Sequence, residues 1–271
     1  MRYIHGFFMS FGNFCAIPCP YRPWNEKARD LMLVFFPLVG LVIGILWYVL
    51  YLILQLLNFP IELSAAIMTV YPFLATGFIH LDGFMDTSDA ILSRRPLEDK
   101  LRILKDPHTG AFAIVSLAIL FLVSYGGMMA ILRETAMLRE GAIEGEILWS
   151  GSMMALLLIP VISRVGSSLT MLILKPLGHS QYHGKFKKKS ARIHAGVVVA
   201  IGVAAFIAAV FLGINQLHNY DIAWTLSAGA IGYALAMGHA KRQLGGVSGD
   251  LAGYSLTLAE TCSIIVLAVI I

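Results

Sequence analysis

Three aspartates within eight residues, Asp82, Asp86 and Asp89, are the first feature of this sequence that could support chemistry. Their spacing of i, i+4, i+7 places all three on one face, over about two turns, if the segment is helical. Three like charges on one stripe repel each other, so a positive charge should lie among them. A hard divalent cation, Mg²⁺ or Mn²⁺, fits best, because such ions take carboxylate and water oxygens and share phosphate oxygens with a substrate. The alternative interpretation is a solvated acidic loop at a membrane edge.

The composition is that of a membrane protein. The chain is 58% hydrophobic and 13% charged with a mean hydropathy of +0.77, whereas soluble domains carry about 25% charge. The loops are too short to bury a core of their own, so residues 1–271 are expected to form a single integral-membrane domain. Apolar runs of about 20 residues predict an all-α bundle with about seven membrane spans, at Leu31–Leu57, Leu63–Ile79, Phe112–Leu132, Ile147–Leu174, His194–Ile214, Ile222–His239 and Leu251–Ile271.

The apolar stretch Met1–Pro20 is interrupted by glycine, asparagine and proline and has no signal-peptide cleavage site. It is expected to lie at the membrane surface as an entry segment. The cysteines Cys15, Cys19 and Cys262 have no paired spacing for a zinc site. They are interpreted as apolar filler.

Basic residues predict the orientation of the spans. With the N-terminus inside and seven spans, 17 of the 20 Lys and Arg residues fall in inside segments, which predicts N-in and C-out. The acidic stretch, the acidic segment around Asp106 and the glycine-rich stretch near the C-terminus then all lie on the cytoplasmic side of the membrane. The same distribution disfavours nucleic-acid binding, because the basic residues lie in loops and form no compact basic domain. The lipid bilayer is the expected partner, and the basic loop around Lys185–Lys189 would face anionic lipid.

A short cytoplasmic helix and turn are predicted between Pro96 and Gly110, with Asp106 standing before Pro107. An aspartate in that position is usually a cap or a turn residue. With Lys105 adjacent and three aspartates upstream, Asp106 is equally a candidate for a fourth metal ligand or a substrate contact.

Arg164 lies within the fourth predicted span, where an arginine is costly and normally faces protein or a wet cavity. Two interpretations have equal weight: pairing with a buried carboxylate, and contact with a substrate phosphate, whose geometry a guanidinium matches. Glu260, in the last predicted span, is likewise a functional candidate because of its depth in the membrane.

A glycine-rich loop, residues 244–250, leads directly into the last predicted span. Glycine-rich backbone at a helix N-terminus offers free amides and a positive dipole end to an anion. The segment matches neither the P-loop nor the dinucleotide-binding spacing. A tight helix connection is the alternative interpretation; the candidate contacts in the loop are Gly245, Gly246, Ser248, Gly249 and Asp250.

Four ordered motifs together resemble the cobalamin synthase family, whose members are also called adenosylcobinamide-GDP ribazoletransferases. The motifs are Thr76-Gly77-x-x-His80-Leu81-Asp82-Gly83-x-x-Asp86-Thr87-x-Asp89, Lys105-Asp106-x-x-x-Gly110, Ser163-Arg164 and Leu244-Gly245-Gly246-x-Ser248-Gly249-Asp250. The similarity runs nearly end to end. It departs from the usual family pattern at Ala16, Ala90 and Pro107, and none of these departures removes a carboxylate.

The resemblance implies a polytopic membrane enzyme of late coenzyme B12 assembly that uses Mg²⁺. Such enzymes join adenosylcobinamide-GDP to α-ribazole, or to its 5′-phosphate, and release GMP. Phosphoryl transfer of this kind depends on positioning and on neutralising charge. Two kinds of protein partner are consistent with this resemblance: a second copy of this chain, and other late cobalamin-assembly enzymes.

The resulting hypothesis assigns the metal to Asp82, Asp86 and Asp89, with Asp106 completing or supporting the site. Lys105 and Arg164 would hold phosphate, and the glycine-rich loop would hold the nucleotide. The general base is unassigned, with an aspartate or His80 as candidates.

Two other functions compete with this hypothesis. The first is another aspartate and Mg²⁺ membrane transferase, of the CDP-alcohol phosphotransferase or prenyltransferase type; the D-x-x-D-G-x-x-A-R signature and a second D-x-x-x-D are both missing. The second is a multi-pass transporter, which the clustering of carboxylates at one edge disfavours, as does the lack of an inverted repeat in the sequence.

Overall fold

The computed structural model describes residues 1–19, 21–140, 151–177, 188–217 and 220–271, and within these ranges the chain is helical, as predicted. Lys185 and Lys187 of the predicted basic loop lie outside the described residues. The α-helices are α1 (Arg2–Phe14), α2 (Arg29–Leu56), α3 (Ile61–Ala75), α4 (Ile79–Leu92), α5 (Leu97–Ile103), α6 (Ala111–Glu140), α7 (Ala155–Ile173), α8 (Lys188–Leu217), α9 (Asp221–Leu244) and α10 (Gly249–Ile270).

The described residues contain five candidate membrane spans, or six if the bent pair α3 and α4 forms one span. Within the described residues, length and composition therefore support five or six of the roughly seven predicted spans. The difference lies in α9, which includes the predicted run Ile222–His239 but also Asp221, Lys241 and Arg242. These charges and several glycines make α9 less apolar than the five candidates. The five spans are Glu26–Leu56, Ala111–Met137, Ser152–Ile173, Ser190–Gly213 and Gly249–Ile270.

The helix α7 lies at the centre of the bundle. In the span Ser152–Ile173, 72% of the most apolar window is buried, against 22% for the spans in α6 and α8. The outer faces of α6 and α8 carry large exposed apolar side chains such as Leu122 and Phe211. These two helices therefore present their apolar surface to lipid, while α2, α7 and α10 supply much of the core.

Two glycines allow α2 and α7 to approach closely. Gly40 and Gly44 are four residues apart, and a Cβ at either position would collide with a backbone carbonyl of α7, that of Pro160 or of Leu157. Small residues at this spacing permit close helix contact in lipid. Gly40 and Gly44 therefore serve helix packing, and they hold α7 against α2 next to Arg164.

The N-terminal helix α1 is amphipathic and packs on the start of α2, where a Cβ on Gly6 would lie 2.6 Å from Leu31 Cβ. At its end, the Ala16 N–H donates to the Ala75 carbonyl at 2.8 Å, which connects the entry segment to the end of α3. Tyr3 and Ile4, in its first turn, are exposed.

Candidate active site

A sharp break between α3 and α4 places the aspartates. Gly77 and Phe78 both adopt left-handed backbone angles, with φ of 61° and 63°, and the two helices are bent by 92°. Thr76 Oγ1 donates to the Pro72 carbonyl at 3.0 Å and so satisfies a carbonyl near the end of α3. The predicted span Leu63–Ile79 therefore ends at Ala75, and the chain turns away before the aspartates begin.

The helix α4 confirms the predicted spacing, because Asp82, Asp86 and Asp89 all lie within it. Asp82 is exposed and the other two are half-buried. Phe84 and Ile91, on a different side of the helix, are buried. We refer to the side that bears the three carboxylates as the acidic face.

Two glycines bring α4 against the start of α10. A Cβ on Gly83 would lie 2.8 Å from the Asp250 carbonyl oxygen and 2.9 Å from Asp250 Cα. A Cβ on Gly253 would lie 3.1 Å from the His80 carbonyl oxygen, which also accepts from Thr257 Oγ1 at 3.4 Å. The first and the last of the four sequence motifs are therefore in direct backbone contact.

This contact adds a fourth carboxylate to the acidic face. Asp82, Asp250 and Asp89 all place negative charge near the Asp86 carboxylate. Sequence reasoning assigned Asp250 to the nucleotide and did not place it with the other carboxylates. A cation fits this group of charges.

No three described His, Cys, Asp or Glu side chains form a ready-made metal group. Mg²⁺ usually binds one or two carboxylates and completes its shell with waters and substrate phosphates. Carboxylates such as those of the acidic face are the oxygen ligands that this ion takes.

The glycine-rich loop is held rigidly next to the acidic face. Gly245 ends α9 with a φ of 82°, a conformation that glycine adopts without strain. The Leu177 N–H donates to the Val247 carbonyl at 2.8 Å, and the Val247 N–H donates to the Lys175 carbonyl at 3.2 Å. These bonds fix the loop to the segment that follows α7.

Ser248 is the N-cap of α10 and connects the loop to the acidic face. Its Oγ accepts from the Leu251 N–H at 3.4 Å and donates to Asp250 Oδ2 at 3.2 Å. Gly249 forms the first turn of α10, and the space beside it is open. The N-terminus of α10, whose dipole end favours an anion, therefore packs against α4 beside the acidic face.

The predicted short helix is confirmed as α5, and the turn after it carries Lys105 and Asp106, both exposed. Asp106 Oδ1 accepts from the His108 N–H at 3.0 Å and contacts His108 Nδ1 at 2.6 Å. The backbone hydrogen bond from His108 is the main cause that lowers the pKa of Asp106 below its usual value. Asp106 therefore lies in an exposed turn after α5, where its carboxylate is engaged by His108.

Arg164 lies behind α4, fully buried, and forms an ion pair with Glu260. The guanidinium also donates to the Pro160 carbonyl at 3.1 Å, and Ser163 Oγ donates to Glu260 at 2.8 Å. Of the two interpretations of Arg164, the structure shows the carboxylate pairing. The same pair accounts for Glu260, so both membrane-depth charges neutralise each other.

His80 is buried on the core side of α4, and its ring lies 5.7 Å from that of Phe36. Arg164 lies 5.8 Å from the same Phe36 ring. His80 therefore faces the core near the buried ion pair, which weakens its case as a general base. Its carbonyl oxygen, rather than its ring, makes the described contact with α10.

These features define a class: a polytopic membrane protein, helical in its described residues, with an acidic face beside a helix N-terminus. Within that class, the cobalamin-5-phosphate synthase family model matches residues 6–268, and the chain belongs to this family. It is a transferase of cobalamin synthesis.

Curated relatives support this assignment over nearly the whole chain. A protein from Clostridium perfringens named adenosylcobinamide-GDP ribazoletransferase is 38% identical over 263 residues, which cover 97% of this chain and 96% of the relative. Proteins of the same name from Clostridium botulinum and Pseudomonas fluorescens are 34% and 30% identical, covering 94% and 90% of this chain and 93% and 89% of the relatives. No solved structure matches the chain.

Proposed function

We propose that this protein is a Mg²⁺-dependent transferase that joins adenosylcobinamide-GDP to α-ribazole, or to its 5′-phosphate, with release of GMP. The observation that carries the proposal is the backbone contact between Gly83 and Asp250. It joins the acidic face to the N-terminus of α10, and the two together suit a metal-bound diphosphate.

The residues have different roles in this proposal. Asp82, Asp86 and Asp89 supply carboxylate oxygens to the ion, with Asp250 adding negative charge and Asp106 supporting from the turn after α5. Bound Mg²⁺ would neutralise charge on the diphosphate oxygens. The amides of the glycine-rich loop and Lys105 hold the phosphates of the nucleotide. Arg164 supports the site from within the core, because its guanidinium is already paired with Glu260.

The proposed location is the cytoplasmic side of a prokaryotic inner membrane, with the N-terminus inside. Several basic residues support this sidedness, because they lie at the same end of the bundle as the acidic face. Lys175 pairs with Val247 of the glycine-rich loop through its backbone, and Lys100 of α5 donates to Gln243 at the end of α9. Basic residues in short loops mark the inside of a membrane.

The test is turnover by the purified protein in lipid. Adenosylcobinamide-GDP is incubated with α-ribazole or with α-ribazole 5′-phosphate, in Mg²⁺ or in excess chelator, and GMP and the corrinoid product are measured. Release of GMP that matches product formation, and that stops on chelation, supports the proposal. Solute flux across liposomes with no GMP release would favour the transporter instead.

A further inference from the structure

The third aspartate of the acidic face also touches the start of another helix. The first amides of α6 have no partner within the helix, as at every helix N-terminus. The Ala113 N–H donates to Asp89 Oδ1 at 3.4 Å. A carboxylate in this position is stabilised by the helix dipole as well as by the hydrogen bond. Asp89 therefore connects α4 to α6.

Gly110, directly before α6, leaves the space that this carboxylate fills. The three atoms nearest to a Cβ at position 110 are the two carboxylate oxygens and Cγ of Asp89, all in severe overlap. Gly110 does not have a positive φ, so backbone freedom does not explain the glycine. The space does, because any larger residue would displace Asp89.

We propose that Gly110 and the Ala113 N–H orient Asp89 within the acidic face, which makes Gly110 a positioning residue of the transferase. This inference rests on the proposed function, since it takes the acidic face to hold a divalent cation. Carboxylates that bind metal ions are usually hydrogen-bonded in turn, and such outer contacts fix their direction. In this arrangement Asp89 Oδ1 accepts from the Ala113 N–H, and both carboxylate oxygens lie against Gly110.

The informative variant is Gly110→Ala. The three atoms nearest to the added methyl group all belong to the end of the Asp89 side chain, which can rotate, so we expect the carboxylate to move and the helices to keep their positions. Gly126→Ala is the matched control, because Gly126 lies in the same helix α6 and has nothing within 4 Å of a Cβ. Asp89→Asn keeps an oxygen acceptor for Ala113 and removes the charge.

Two measurements decide the inference without turnover. The first is Mn²⁺ binding followed by electron paramagnetic resonance, in which Gly110→Ala should weaken affinity by about 10-fold or more, as loss of an outer contact does. The second is hydrogen exchange of the amides at residues 111–114, which should quicken in Gly110→Ala and Asp89→Ala and stay near wild type in Asp89→Asn and Gly126→Ala.

Wild-type Mn²⁺ affinity in a folded Gly110→Ala protein would overturn the inference, as would unchanged exchange at the start of α6 in Asp89→Ala. The proposed function would fail separately if the wild-type protein released no GMP while the variants still differed from it in Mn²⁺ affinity and amide exchange as expected. In that case the inference about Asp89 would stand.

Discussion

Replacing Gly83 with alanine should separate the acidic face from the N-terminus of α10. The new Cβ would lie 2.8 Å from the Asp250 carbonyl oxygen and 2.9 Å from Asp250 Cα, whereas ordinary contact begins at 3.4 Å. Both atoms belong to the backbone and cannot rotate away, so α4 and α10 must part by about 0.5 Å. Overpacking of this kind costs about 1–3 kcal/mol of stability.

The cost to catalysis should exceed the cost to folding. A misplacement of about 1 Å can reduce a rate by about 100-fold, so half that displacement should reduce kcat by about 10-fold. The assay is GMP release by the purified variant, with thermal unfolding measured on the same sample. Gly238→Ala is the control, because Gly238 in α9 has nothing within 4 Å of a Cβ.

The reasoning would be refuted by a Gly83→Ala protein with the kcat and the unfolding temperature of wild type. That result would mean that the contact between α4 and α10 is loose, and that the acidic face acts independently of the glycine-rich loop. A loss of stability with an unchanged kcat would also separate packing at Gly83 from the chemistry.

Two further predictions concern buried polar contacts. Glu260→Gln leaves the buried Arg164 charge without its partner and should cost about 3–5 kcal/mol of unfolding free energy. The measurement is thermal unfolding in detergent, and an unfolding temperature equal to that of wild type would contradict the buried pair. Lys100→Met removes the contact with Gln243 that joins α5 to α9 and should cost about 1–2 kcal/mol. Gln243→Glu should keep the stability of wild type in the same assay, because it keeps a partner for Lys100. An equal loss of stability in Lys100→Met and Gln243→Glu would argue against the contact between Lys100 and Gln243.

The local features of the site could be predicted from the sequence because they depend on neighbours along the chain. The spacing of Asp82, Asp86 and Asp89 is a property of a helix, and α4 is helical. The turn around Asp106 follows from the proline after it. Arg164 could be predicted to need a partner, since an unpaired charge inside a membrane is costly.

Long-range contacts could not be predicted in the same way. The sequence does not show that Gly83 meets Asp250, or that Gly110 meets Asp89, because each pair depends on how separate helices pack. A signal did exist at Gly83, since a glycine in the middle of a helix costs about 1 kcal/mol relative to alanine and usually has a packing reason. The bend at Gly77 and Phe78 was missed because the apolar run continues through it.

The choice between the buried pair and the phosphate contact for Arg164 also required the structure. Both interpretations place an arginine within a span, and the partner Glu260 lies 96 residues away along the chain. The predicted span Ile222–His239 is not among the five candidate spans, because α9 is helical and packs against α10 but is less apolar than those spans.

The central claim is that the acidic face holds a divalent cation against the diphosphate of the substrate. The variant Asp86→Asn tests this claim most directly. Asp99→Asn is the control, because Asp99 lies on α5 and makes only a 3.7 Å pair with Arg102 at the surface, where such pairs contribute little. Asp86→Asn should lower Mg²⁺-dependent GMP release by at least about 100-fold, since charge stabilisation by a metal contributes several kcal/mol. Asp99→Asn should release GMP at the wild-type rate. GMP release by folded Asp86→Asn protein at the wild-type rate would contradict the claim.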